Sequence, residues 1–206
     1  MKKSIWLMLI AVFFSACNSG PDNQFTIQGE MEGVTDGWVV LTRVVDGDLK
    51  PVDSVKAVDG TFTFTGTIDT PEMYYLDFKE NKTFHRFFVE PGTIAITGDL
   101  QKPEFEGAEA QVVFDKFNEE MGQFDQRGMD LTQRYREAQE ANDAETLAGV
   151  EEEFRKLEEE QTAYILDFAA RNPASVASPY IIVSNAYVFN LEELEQALNS
   201  FDASIS

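Results

Sequence analysis

The sequence predicts an α+β protein: an N-terminal antiparallel β-sandwich or open barrel, then an antiparallel helical hairpin and short C-terminal helices. Two observations carry this. Apolar residues recur with period two from Phe25 to about Gly107, with turn residues between the runs, and the spacing then changes to three and four. A third observation sets the first residues apart, because they have the makeup of a leader and not of a folded element. Residues 1–16 read as a signal peptide, 17–24 as a tether, 25–107 as the β-domain and 108–206 as the helical region.

In the leader, Lys2 and Lys3 precede an unbroken apolar run from Ile5 to Phe14. A helix that crosses a bilayer needs about 20 apolar residues, so this run suits an export signal better than a permanent span. Phe14-Ser15-Ala16-Cys17 resembles the bacterial lipobox, with Phe14 where an aliphatic residue is usual. That resemblance implies cleavage before Cys17 and acylation of Cys17, which then anchors the protein in the envelope of a Gram-negative bacterium. The competing reading is an ordinary secretory signal with an incidental cysteine. Asn18 to Gln24 forms a flexible tether with no acidic run directly after the cysteine, which favours a periplasm-facing position. Cys17 is also the only cysteine, so a dithiol centre, an internal disulfide and a thiolate zinc site are excluded.

Charge narrows the partners. With 37 acidic and 16 basic residues the chain carries a formal charge of −21, which argues against nucleic acid and against anionic lipid surfaces. Acidity does not imply disorder, since 43% of residues are hydrophobic and seventeen are phenylalanine.

The strand runs follow in order: Phe25 to Gly29, Trp38 to Val45, Val52 to Val58, Thr61 to Gly66, Met73 to Phe78, Phe84 to Val89 and Thr93 to Gly98. Asp46-Gly47-Asp48 closes the second run, and Asp59-Gly60 is a two-residue hairpin signal because both residues tolerate positive φ. Phe62, Phe64, Ile94 and Ile96 are expected to face inward. The ordered set Phe25-Ile27-Gly29, Asp59-Gly60-Phe62-Phe64-Gly66, Pro71-Tyr74-Leu76 and Phe87 to Gly98 resembles a domain of unknown function. That domain occurs at the N-terminus of envelope lipoproteins ending in a thioredoxin-like, thiol–disulfide oxidoreductase domain. The resemblance implies an accessory role beside a redox domain that this sequence lacks.

After Gly107 come two heptad-like stripes. Val113, Phe117, Met121, Phe124, Gly128, Leu131, Tyr135 and Ala138 form one; Leu147, Val150, Phe154, Leu157, Gln161, Tyr164 and Phe168 form the other. Asn142 with Glu145 reads as a capping box between them. Gly122 and Gly128 predict a kinked or frayed first arm. Asn172-Pro173 ends the second arm, Ser178-Pro179 opens a short helix, and Asn190 with Glu193 caps another. The stripe Leu191, Leu194, Leu198, Phe201 and Ile205 still runs at the last residues, an expectation of a truncated form.

Candidate chemistry is sparse. His85, the only histidine, sits in an alternating strand and reads as a sheet-face residue. Asp46-Gly47-Asp48 lacks the ordered oxygen series of a calcium loop and reads as a turn. Glu151-Glu152-Glu153 and Glu158-Glu159-Glu160 read as a solvated helix face. Asp53-Ser54-Val55 resembles the short sites that some Gram-negative bacteria O-glycosylate, which makes Ser54 a candidate. No catalytic residue, metal ligand or cofactor is assigned. The expected function is a lipid-anchored, non-catalytic accessory or binding module. Its partners are the membrane through Cys17 and a protein, or a second copy, through the helical hairpin. A stand-alone ligand-binding lipoprotein is the alternative, and an enzyme using paired carboxylates is a third reading.

Overall fold

Two four-stranded sheets face one another and the chain changes sheet four times while building them. The computed structural model describes residues 23–201. The first sheet has the order β4-β1-β7-β8 and the second β3-β2-β5-β6. The strands are β1 Gln24–Glu30, β2 Gly37–Val45, β3 Asp48–Ala57, β4 Thr61–Thr67, β5 Glu72–Phe78, β6 Thr83–Val89, β7 Gly92–Gly98 and β8 Pro103–Glu106. Of the two expected architectures the protein adopts the sandwich. All pairs are antiparallel except β1 with β7, which run parallel. Periodicity reports which face a residue takes and says nothing of strand direction. The crossover through β5 and β6 delivers β7 to the free side of β1 in the same sense.

The four residues expected to face inward, Phe62, Phe64, Ile94 and Ile96, are all buried. They meet Leu41, Leu76, Phe78 and Phe87 of the opposing sheet in one apolar layer. Within it, two glycines serve as seats for aromatic rings. Gly29 pairs with Phe62 across the β1–β4 ladder, and Phe25 pairs with Gly66. A Cβ at Gly29 would lie 2.1 Å from Phe62 Cζ, and one at Gly66 would lie 2.6 Å from Phe25 Cζ. The recurring Phe and Gly of the sequence pattern are therefore two halves of one cross-strand device.

The Asp46-Gly47 and Asp59-Gly60 turns have positive φ at both residues, 55° and 83° in the first and 50° and 77° in the second. This is the geometry of a twist-matched two-residue hairpin. The first turn lets β3 begin at Asp48, earlier than the expected Val52. Register along β2 and β3 slips at Val52, since Leu41 faces Asp53 while Thr42 faces Pro51. That bulge on the edge strand tolerates Pro51, which has no N–H to give a ladder. The second turn passes the chain from β3 in one sheet to β4 in the other, with a single Val58–Thr61 bridge. Strand β8 has no counterpart in the sequence reading, because its four residues contain one apolar side chain besides proline.

The helices are α1 Glu109–Ala141, α2 Ala144–Arg171, α3 Ala177–Ser184 and α4 Leu191–Asn199, with a 3-10 turn at Ala186–Val188. At about 1.5 Å per residue α1 is roughly 50 Å long. It runs unbroken through Gly122 and Gly128, so the first arm does not fray there. The turn to α2 also differs from expectation. Asn142, with φ 54°, ends α1 in the left-handed conformation, and Asp143 caps α2 by accepting the Thr146 N–H. Asn142 is used as a terminator, and the following aspartate takes the capping role. Asn190 and Glu193 do form a capping box at α4.

The distal hairpin packs on itself through Leu131, Val150 and Leu157. Each glutamate run contributes one partner across the seam: Arg127 donates to Glu160 at 2.6 Å, and Arg134 donates two bonds to Glu153 at 2.6 and 2.8 Å. These pairs are half exposed and screened by solvent, so they favour one register without holding the hairpin together. Near the sandwich, Phe117, Ile165, Phe168, Ile181 and Ile182 form a second core. Helix α4 leans on it through Leu194 and Ala197, followed by Phe201 just past its end, whereas Leu191 and Leu198 stay exposed. Ile205 lies outside the described residues.

Three substitutions separate the roles of glycine. Gly29→Ala should cost about 1–3 kcal/mol by displacing the Phe62 ring. Gly122→Ala and Gly149→Ala, in open helical positions where a Cβ meets nothing within 4 Å, should each stabilise by roughly 1 kcal/mol. Urea denaturation midpoints measure both signs.

Candidate functional site

Strand β6 departs from alternation at its end, where Phe87, Phe88 and Val89 are all buried. Phe87 and Val89 enter the sandwich core, and Phe88 points the other way into the helical core. There it meets Phe114 of α1 at 5.7 Å and Tyr180 of α3 at 5.5 Å, both edge-to-face, while Phe114 and Tyr180 meet at 5.7 Å. Edge-to-face rings of this kind contribute about 0.5–1.5 kcal/mol per pair beyond the area they bury.

The backbone joins at the same point. β6 is an edge strand, so some of its N–H groups face away from the sheet. The outward Phe88 N–H donates to Oε1 of Gln111 at 2.8 Å. Gln111 is buried, and its Nε2 donates to Asp115 Oδ1 at 2.7 Å. Two residues on, Glu90 Oε1 accepts the Ala110 N–H at 3.1 Å, satisfying a free donor in the first turn of α1. The edge of one sheet and the start of one helix thus complete each other's hydrogen bonding.

Beyond this lock lies an open cleft of about 650 Å³ between β6, β8 and α1. Phe84, Arg86, Glu104, Glu106, Phe114 and Asp115 contribute to its walls. Arg86 lays its guanidinium over Phe114, 5.1 Å from the ring centroid, and faces Tyr75 across the β5–β6 ladder. Burial raises the pKa of Asp115, partly offset by its bond from Gln111. Burial also raises Glu90, and the amides of Ala110 and Glu109 oppose it. Tyr180 is raised by burial first and by Tyr75 second, with Arg86 opposing.

His85 faces the other way from Arg86, towards Phe78, and its Nε2 lies 3.0 Å from the Leu100 carbonyl. The histidine therefore ties β6 of the second sheet to the β7–β8 connection of the first. Burial lowers its pKa below 6.5, and the carbonyl contact only partly opposes this.

The other sequence candidates are scattered. Ser54 is exposed on the edge strand β3, its N–H held by the Asp53 carboxylate at 2.7 Å. Asp46-Gly47 makes a hairpin turn. Cys17 lies outside the described residues. Among the described residues no group of three or more histidine, cysteine, aspartate or glutamate side chains is placed to hold a metal ion. Nor is any described helix long and apolar enough to cross a membrane. Sequence reasoning missed Phe88, Arg86 and Gln111. The run Phe87-Phe88-Val89 carried a usable signal, since three consecutive buried positions mean a strand covered on both faces. Gln111 carried none, because a polar residue in a helix becomes a buried partner only once the strand edge is in place.

Residues 25–114 match the family model for a domain of unknown function, DUF4369. No curated protein and no solved structure matches the chain. The matched segment runs past Gly107 into α1 as far as Phe114, so it includes Gln111 and the ring beneath Arg86. The start of α1 thereby falls within the matched segment, joined to β6 by the contacts above.

Phe88→Ala should cost about 3–5 kcal/mol. Gln111→Met, which leaves the Phe88 N–H without a partner, should cost about 1–3 kcal/mol. Both are read from thermal or urea unfolding. The pH dependence has a definite sign. Neutral His85 is favoured in the folded state, so its protonation favours unfolding, and stability falls as pH drops below about 6.5. Glu90 and Asp115, both raised, act oppositely and at lower pH. Between about pH 7.5 and 5.5, wild type should lose stability relative to His85→Gln; parallel curves would remove His85 as the cause.

Proposed function

We propose that this chain is a lipid-anchored, non-catalytic accessory or binding module of a Gram-negative cell envelope. It faces the periplasm and is related to lipoproteins that carry a thioredoxin-like oxidoreductase domain. The anchor reading rests on the leader and on Phe14-Ser15-Ala16-Cys17. The relationship rests on the strand order from Phe25 to Gly98. The observation that most favours a binding role is the cleft beside Phe88. Its two sides are fixed to each other by the Phe88–Phe114–Tyr180 cluster and the Gln111 bond, so it is preorganised. A preformed cleft with a few polar groups is the usual setting of a recognition site, and its volume lies within the usual range of about 300–1,000 Å³.

The anchor is tested by growing cells with an alkyne-tagged fatty acid. Wild-type protein should take up the tag and sediment with membranes, and Cys17→Ala should do neither. An untagged, soluble wild-type protein would sink the anchored reading.

A further inference from the structure

The cleft contains a strand edge that no other strand closes among the described residues. There β6 has a neighbour on one side only, β5. In an antiparallel strand, N–H and C=O groups of alternate residues point to the same side. Phe88 points away from β5, as its bond to Gln111 shows, so Arg86 and Phe84 present their backbone groups in the same outward direction. Gln111 therefore caps the last outward N–H of the strand and leaves those of Phe84 and Arg86 facing the cleft.

Two of the other three edges of the sandwich are guarded, those of β3 and β8; the third is β4. Strand β3 carries Pro51, a bulge at Val52 and the charges of Lys50, Asp53 and Lys56. Strand β8 has four residues, with Pro103 and two glutamates among them. Such features discourage pairing with another chain. Phe84-His85-Arg86 has no proline, glycine or bulge, and the Phe84 side chain is 69% exposed beside its free backbone.

We propose that the Phe84–Arg86 edge of β6 binds an extended, basic peptide segment of a partner protein by adding it as a fifth strand. Main-chain hydrogen bonds would supply affinity, and alternate side chains of the segment would supply specificity. Charge selects the basic class. Glu104, Glu106 and Asp115 border the cleft, against one cation, Arg86, whose charge is already directed onto the Phe114 ring. Lysine or arginine at alternate positions would face those carboxylates. This deepens the binding-module reading and rests on it, but it does not depend on the lipid anchor.

The test uses the purified protein and three blocked heptapeptides: alternating valine and lysine, alternating valine and glutamate, and the lysine peptide with N-methyl groups on the edge-facing amides. Amide hydrogen exchange is followed residue by residue. In the free protein the Phe84 and Arg86 amides should exchange quickly. The lysine peptide should slow both by about tenfold or more, the glutamate peptide should slow them less, and the N-methylated peptide should leave them unchanged. Phe84→Pro, tolerated on an edge whose N–H faces outward, should abolish the effect on Arg86 while unfolding stays cooperative. Equal slowing by the lysine and glutamate peptides would overturn the charge argument. Slowing that survives N-methylation or Phe84→Pro would overturn strand addition. A response of the Arg86 side chain alone, without amide protection, would assign the cleft to small anions. Loss of fatty-acid tagging in cells, with amide protection intact, would count against the anchor alone.

Discussion

The bond from the Phe88 N–H to Gln111, with the aromatic cluster around it, is the constraint on which the arrangement of this molecule depends. The sandwich has its own core, and so does the helical layer. They share few elements: Phe88 of β6 is buried in the second core, and Met73 of β5 packs against it. A buried amide without an acceptor costs about 1–3 kcal/mol, so α1 cannot slide along β6 without exposing that cost. Gln111 gives the joint a register, and the three rings give it most of its attraction. Everything beyond, including the width of the cleft and the direction of the long hairpin, is set at this point.

Much of this fold was legible in the sequence, for a physical reason. Alternation records burial of one face, and Phe62, Phe64, Ile94 and Ile96 lie where it put them. The turn pairs Asp46-Gly47 and Asp59-Gly60 were equally readable, because positive φ at two successive residues strongly favours such a pair. The three-four spacing located both arms of the hairpin. Features that depend on partners distant in sequence were not readable. The parallel pairing of β1 with β7 follows from the route of the chain through the other sheet. The capping role expected of Asn142 fell to Asp143, since both suit a cap and only the helix geometry decides which one has turned left-handed. At the candidate site, the sequence pointed to isolated residues such as Ser54 and His85. The structure instead brings together Arg86, Phe88, Gln111 and Phe114, which are joined by one strand edge and share no motif.

The acidity of the chain also takes a more specific form. Part of it is neutralised along the hairpin, where Arg134 grips Glu153 and Arg155 holds both Glu152 and Glu159. Around the cleft the carboxylates of Glu104 and Glu106 are exposed, and that imbalance is local and directional. Net charge alone says what a protein repels; its placement beside an open strand edge says what it would admit.

The Asp59-Gly60 turn has a consequence for how the molecule comes to exist. Because it carries the chain from one sheet to the other, and the chain returns twice more, no sheet here consists of one contiguous stretch of sequence. The β1–β7 pairing must wait until everything between Glu30 and Gly92 has been placed. Closing such loops is entropically slow, whereas a helical hairpin forms from neighbours in sequence. On topological grounds α1 and α2 can therefore be ready before the strand edge they will grip, and the sandwich is the slower half of the assembly.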